Sequence, residues 1–325
     1  DAIARAGRGV VLWYVHDHYV TCLSELRWRR DIGGCPQRLG HDCLTAIDRG
    51  QCVLRHPAQV HVGSDVERRT ALSRSMAAAD EVIVVSRYMR SLLLAAEPRL
   101  DRHLHVLSRP IRDFGPLRPR QRSTPTDPAV VTYAGRINAE KGLAVVIEAL
   151  AAATPAAPVQ LCIAGVVEDE RYWASCGQLL TAAKAANAGL TATYLGHLDY
   201  DATDELFGRS DIVTVPSRWP EPLGAVALEA MAAGAAVIAS PVGGLADVVV
   251  HDHNGLHAGP GDVAAWSHAL STLLEQPDLA RRLGSQAHRD VTRSSIADHV
   301  RALGALVAAR RSTSHPRARA PRSAR

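Results

Sequence analysis

From Val130 onward the chain alternates strand and helix, and no other feature limits its fold as strongly. Val130–Ala134, Val159–Ala164, Thr191–Leu195, Asp211–Val215 and Ala235–Ala239 read as short apolar strands separated by helical patterns. After the first strand, Glu140 to Ala153 reads as a helix with Leu143, Val146, Ile147 and Leu150 on one face. This alternation predicts a parallel, doubly wound α/β sheet with helices on both faces. Ligands of such sheets bind beyond the carboxyl ends of the strands, so the residues just after each strand are where chemistry is expected.

The first half is less regular. Gly9–Val15 reads as a strand ending at His16-Asp17-His18, followed by an irregular stretch to about residue 60 with Gly33-Gly34, Gly40 and Gly50 as breakers. Ser64 and Glu67 form a capping box that opens a helix to about Ala79. Glu81–Val85 is a strand, Ser86 caps a further helix, and His103–Leu107 is a strand again. Residues Arg109 to Pro128 are rich in Pro and Arg without periodicity, as a linker is. The expected organisation is a partial N-terminal Rossmann-like domain over 1–112, a linker over 113–127 and a second Rossmann-like domain over 128–290. A helix over 291–311 (Ser295 to Arg311 at its core) then packs back on the first domain, and 312–325 form a disordered basic tail.

Charge and cysteine usage narrow the function classes. Six Arg fall within residues 310–325 with no acid; without them the 37 basic residues drop to 31 against 33 acidic, a net of −2. The body therefore has no nucleic-acid footprint, and the basic balance belongs to the tail. That tail could lean on anionic lipid. The longest uncharged stretch, Ala149 to Val167, is broken by Pro155, Pro158 and Gln160 and does not read as a membrane span. Six cysteines without a C-x-x-C fit a reducing, cytoplasmic setting.

After Val130–Ala134 comes Gly135-Arg136-Ile137-Asn138-Ala139-Glu140-Lys141-Gly142. Gly135 permits a tight turn, and Arg136 and Lys141 add two cations at a helix start, a site for a phosphate or diphosphate. The plainer reading is two solvated charges on a loop. After Asp211–Val215 comes Pro216-Ser217-Arg218-Trp219-Pro220-Glu221-Pro222-Leu223-Gly224, then an Ala-rich helix, Ala225–Ala233, whose one acid is Glu229. A carboxylate there is either solvent-facing or partnered by a ligand's hydroxyls, because burying it alone is costly. Glu221 and Glu229 lie too far apart for a glycosidase pair and suit two groups gripping different parts of one extended ligand.

These blocks, with Glu229-Ala230-Met231-Ala232-Ala233-Gly234, Gly243-Gly244-Leu245 and Asn254-Gly255-Leu256, resemble retaining glycosyltransferases of the GT-B fold, family 4. The ordered resemblance covers about residues 130 to 262. His16-Asp17 looks like the family's His at the end of an N-domain strand, and Val84-Val85-Ser86 like the final part of that domain. The resemblance implies two Rossmann-like domains facing across a cleft, with no cofactor or metal. Arg136 and Lys141 would hold the diphosphate of a nucleotide-sugar, UDP- or GDP-linked, and stabilise the leaving group. Glu221 would bind the donor sugar, Glu229 the ribose hydroxyls, and the Gly135, Leu223 and Gly224 backbone the sugar or phosphate. His16 would reach the sugar from the opposing domain. The acceptor would be a sugar or a lipid-linked sugar, as in envelope, polysaccharide or glycolipid synthesis, with the protein cytoplasmic or peripheral on the inner membrane face. Family members carry additional residues upstream, so the N-terminal domain is expected to be incomplete, with open sheet edges. Asp247 stands where Glu is common, and Gly165-Val166-Val167-Glu168 lacks a second glycine.

Other signals carry less. Asp199-Tyr200-Asp201 matches a metal-binding D-x-D, but Asp201 before a helix reads as a cap. His16-Asp17-His18 and His251-Asp252-His253 lack metal-site spacing, and Cys22, Cys35, Cys43 and Cys52 read as free thiols. Two alternatives remain: a nucleotide-sugar 2-epimerase of the same architecture, and a donor-binding module without turnover.

Overall fold

The computed structural model describes residues 9–112, apart from 24, 26, 30–32, 36–38, 40 and 53–61, and residues 127–313, apart from 154–156 and 293–294. The expected linker and the basic tail fall almost entirely outside the described residues.

The first half is built on three parallel strands, β1 (Leu12–Val15), β4 (Glu81–Val84) and β5 (Leu104–Val106), in the order β1-β4-β5. Every residue of β4 is buried, as its central place requires. Between β1 and β4 lie a short antiparallel pair, β2 (Trp28–Arg29) and β3 (Gly33–Gly34), and two helices, α1 (His41–Asp48) and α2 (Val62–Met76). The stretch read as irregular thus contains a helix: Gly50, at φ +66°, ends α1 rather than merely breaking the chain. α2 starts two residues before Ser64, so the Ser64–Glu67 capping box does not mark its start. Ser86 does cap α3 (Arg87–Ala96), its Oγ accepting from Met89 N.

The second half is a six-stranded parallel sheet, β11-β10-β9-β6-β7-β8. Its strands are β6 (Ala129–Ala134), β7 (Val159–Ala164), β8 (Leu190–Gly196), β9 (Ile212–Val215), β10 (Ala236–Ala239) and β11 (Leu256–His257). β6 comes first in the chain and lies in the middle, so the topology reverses between β6 and β9. That is where a doubly wound sheet opens its crevice.

Helix α4 (Leu143–Ala152) buries Leu143, Val146, Ile147 and Leu150 completely, the face the sequence predicts. It begins three residues later than Glu140, because Gly142 takes a left-handed N-cap (φ 75°) and 138–142 form a turn. α5 (Glu170–Ala186) and α9 (Val263–Glu275) join α4 on one face; α7 (Ala225–Ala232) and α10 (Pro277–Thr292) pack with Val213, Val237 and Ala239 on the other. The latter apolar cluster continues into Val84 and Met89 of the first half.

At α6 (Tyr200–Gly208) the cap is Asp199, accepting from Ala202 N, and not Asp201. The short α8 (Leu245–Val248) follows β10. The last helix, α11 (Ile296–Thr313), reaches back to the first sheet. His299 Nδ1 lies 3.1 Å from Ser108 O, and Arg310 Nε is 2.5 Å from Glu81 Oε1. Among the described residues no helix is long and apolar enough to cross a membrane.

Candidate active site

Two loops meet beyond the carboxyl ends of β6 and β9. In the first, Tyr133 donates its hydroxyl to Arg136 O (2.7 Å), and Asn138 Oδ1 accepts from Lys141 N (3.0 Å), so the turn is fixed from within. Burial pushes the Tyr133 phenol well above its usual pKa, which keeps it a neutral donor. A Cβ on Gly142 would stand 2.2 Å from Pro216 O, so only glycine lets this loop lie against the second one. Arg218 N also donates to Glu140 O at 2.7 Å.

That close approach brings Lys141 to Glu221. Glu221 is 7% exposed, and its Oε1 accepts from Lys141 Nζ (2.5 Å), Ser217 Oγ (2.6 Å) and Trp219 Nε1 (3.0 Å). Three donors on one oxygen offset the cost of burying the carboxylate. A pocket of about 120 Å³ opens here, lined by Tyr133, Lys141, Ser217, Glu221 and the start of α7 at Gly224, Ala225 and Val226. Gly224 sits at φ 90° as the α7 N-cap without a side-chain cap, so the first turn of the helix faces the pocket. An ammonium beside a helix N-terminus is suited to an anion.

The backbone of Glu221 is held closely. Gly244 N donates to Glu221 O at 2.6 Å, and a Cβ on Gly243 would stand 2.3 Å from that same oxygen. From the first half of the chain, His18 Nε2 lies 2.8 Å from Pro220 O, and Ser86 Oγ donates to Pro222 O at 2.6 Å. Asp247 accepts from Tyr88 N and Arg87 Nε, both at 3.0 Å.

Residues 117–290, just over half of the chain, match the family described as Glycosyl transferases group 1. The chain belongs to this family.

The chain is also similar to named relatives. Glycogen synthase of Mycobacterium tuberculosis is 33% identical over 180 residues, 55% of this chain and 41% of the relative. D-inositol 3-phosphate glycosyltransferase of Mycolicibacterium smegmatis is 28% identical over 323 residues, 95% of this chain and 70% of the relative. The chain thus spans about two fifths of the glycogen synthase it matches. The Anabaena protein HepE, solved with UDP and glucose, superposes with a TM-score of 0.64 at 21% identity, over 75% of this chain and 67% of that one. The fold is that of GT-B glycosyltransferases.

Within this group 1 chain, Lys141, Glu221 and Gly224 come together at one pocket, with Leu223 buried beside it. Arg136 stands apart from the pocket lining: its Nη1 pairs with Glu168 Oε2 (2.7 Å), which also accepts from Asn138 Nδ2 (2.8 Å). Glu229 is half-buried on α7, its Oε1 3.7 Å from Arg109 Nη2. Burial raises the Glu229 carboxyl above its usual pKa, Arg109 opposes this and Asp204 adds to it. His16 is exposed and stacks on Tyr14, ring centroids 4.3 Å apart, while buried His18 is the histidine that reaches across.

His18, Ser217 and Trp219 escaped the sequence reading. For the latter two a signal existed: both carry a side-chain donor, four and two residues before Glu221. Nothing in the sequence distinguishes His18 from His16. Asp201, set aside as a cap, instead pairs with Arg112, Oδ1 to Nη1 2.8 Å. Among the described residues no disulfide joins any of the six cysteines.

Proposed function

We propose that this chain belongs to a glycosyltransferase that takes a sugar from a nucleotide-diphosphate donor, with retention of configuration and without a metal. The observation that supports it best is the Lys141–Glu221 pair at the switch point of the sheet, beside the open first turn of α7. The UDP and glucose of the Anabaena relative support the donor class.

In this reading the donor's diphosphate enters at α7, where Lys141 and Arg136 balance the charge that grows on the leaving phosphate. The anomeric C–O bond breaks with its electron pair going to the diphosphate. The acceptor oxygen bonds on the same face and passes its proton to the departing phosphate. Glu221 accepts from hydroxyls of the sugar, Glu229 from those of the ribose, and the Leu223–Gly224 backbone contacts the sugar or phosphate. A pocket of about 120 Å³ takes only part of such a ligand, since whole small-molecule sites run to roughly 300–1,000 Å³. Donor binding therefore requires Lys141 and Arg136 to exchange their carboxylate partners for phosphate. His16, exposed on Tyr14 and outside the pocket lining, would face the donor sugar from the first half of the chain.

A thermal-shift panel with UDP, GDP, ADP and their sugar conjugates tests the reading. A ligand at 100 times its Kd that binds only the folded state adds about 2.7 kcal/mol of stability. One base should shift the wild type and lose its effect in Lys141→Ala. A shift that survives Lys141→Ala, or none with any nucleotide on a folded chain, overturns the reading.

A further inference from the structure

Glu221 lies between two prolines, and the consequence is mechanical. The rings of Pro220 and Pro222 fix their own φ, and a residue before proline is confined to extended conformations, so Glu221 is restricted as well. The soft torsions left in this segment include ψ of Pro220 and ψ of Pro222, and each sets the direction of that residue's carbonyl. Those two carbonyls are the ones held from the first half of the chain, by His18 at 2.8 Å and Ser86 at 2.6 Å. A carbonyl only accepts, so Nε2 of His18 carries the proton. Gly243 and Gly244 lie against the same segment, where a Cβ would come 2.3 Å from Glu221 O and 2.3 Å from Pro222 O. The segment is held from the first half of the chain and walled by the glycine pair.

We propose that His18 and Ser86 are positioning residues for Glu221: docking of the first half of the chain on the second orients the two flanking carbonyls and so sets the carboxylate. The proposal rests on the donor-site reading for its catalytic meaning, though not for its mechanics. Other features of the interface agree with it. Tyr88 N and Arg87 Nε donate to Asp247, three residues beyond Gly244, so the glycine wall is tied to the same helix, α3, that Ser86 caps. His18 also stands edge-on to Trp219, centroids 5.9 Å apart, and Trp219 is itself a donor to Glu221. His18 Nδ1 is buried with no partner among the described residues, a cost that a purely space-filling side chain would avoid.

Hydrogen exchange on the full chain tests the mechanics. His18→Leu removes one donor. Ser86→Asp keeps an acceptor for the α3 cap while losing the hydroxyl that serves Pro222. Both should exchange about tenfold faster over residues 219–224 and 243–248, with β6 and β7 unchanged. His18→Gln, which restores an N–H donor, should stay within about threefold of wild type. Unchanged exchange in both donor-loss variants overturns the proposal. If His18→Leu loosens the whole chain, Ser86→Asp decides.

UDP binding and UDP-glucose turnover test the catalytic meaning. His18→Leu should lower kcat about tenfold or more while the Kd for UDP stays within about threefold, with His18→Gln recovering the rate. Equal loss of both constants, or of neither, overturns the positioning role. A wild type that binds no UDP overturns the donor-site reading instead, and exchange alone then judges the clasp.

Discussion

A buried carboxylate with three donors on one oxygen is stable only while those donors remain, and Glu221 is therefore sensitive to its neighbours. Lys141→Met should cost about 3–5 kcal/mol in chemical denaturation, since it leaves the carboxylate buried without its cation. Lys141→Met with Glu221→Gln should recover much of this, a coupling that a double-mutant cycle reads directly. Glu229 behaves oppositely. Its raised pKa means that the folded state favours the neutral acid, so its contribution is fully present below the ordinary carboxylate pKa and lost as pH rises through the raised one. Glu229→Gln should accordingly raise Tm at pH 7, and the gain should vanish in acid. His18 supplies a third case. Burial, more than the nearby Arg27, lowers its pKa to about 4, with the Pro220 hydrogen bond, Asp17 and Glu221 opposing. Its stabilisation is present above the usual pKa of about 6.5 and lost as pH falls toward 4, on the order of 3 kcal/mol. His18→Gln should flatten stability against pH across that window.

At the scale of elements, the site is made by loops whose ends are set by glycine. Gly142 lies at φ 75° and touches Pro216; Gly243 lies at φ +57° and touches Glu221. Alanine at Gly243 meets both a left-handed backbone and the Glu221 carbonyl oxygen 2.3 Å away, a backbone atom that Gly244 N also holds. We expect Gly243→Ala to cost about 2–3 kcal/mol and to weaken nucleotide binding, whereas Gly177→Ala, at an exposed position of α5 with nothing within 4 Å, should be neutral or mildly stabilising. Denaturant midpoints and nucleotide titrations of the two variants check this. The late start of α4 belongs here too. Apolar periodicity located its buried face at Leu143, Val146, Ile147 and Leu150, but it says nothing about where helical backbone begins. That was decided by Gly142 and its contact with the other loop.

At the scale of the molecule, α11 joins the second half of the chain to the first sheet. Glu81, 6% exposed at the start of β4, accepts from Arg310 Nε at 2.5 Å and lies 2.7 Å from His105 Nε2. Arg310→Ala leaves a mostly buried carboxylate with one partner fewer and should cost about 1–2 kcal/mol, with faster exchange in α11 and an unchanged second sheet. Hydrogen exchange and urea midpoints read both effects.

The sequence by itself determined the parallel α/β class, five of the six strands of the second sheet (all but the two-residue β11) and the loops that carry Lys141, Glu221 and Gly224. Those follow from local periodicity and from residue types whose chemistry is local. Tertiary structure decided the rest: that Lys141 pairs with Glu221, Arg136 with Glu168 and Glu229 with Arg109, and that His18 rather than His16 turns inward. It also showed that one stretch read as irregular holds α1 and that Asp199 rather than Asp201 caps α6. The pairings are matters of which backbone lies against which across 30 to 200 residues, and periodicity carries no record of such distances; α1 and the Asp199 cap are local, and escape the sequence because short helices and their first residues leave a weak pattern.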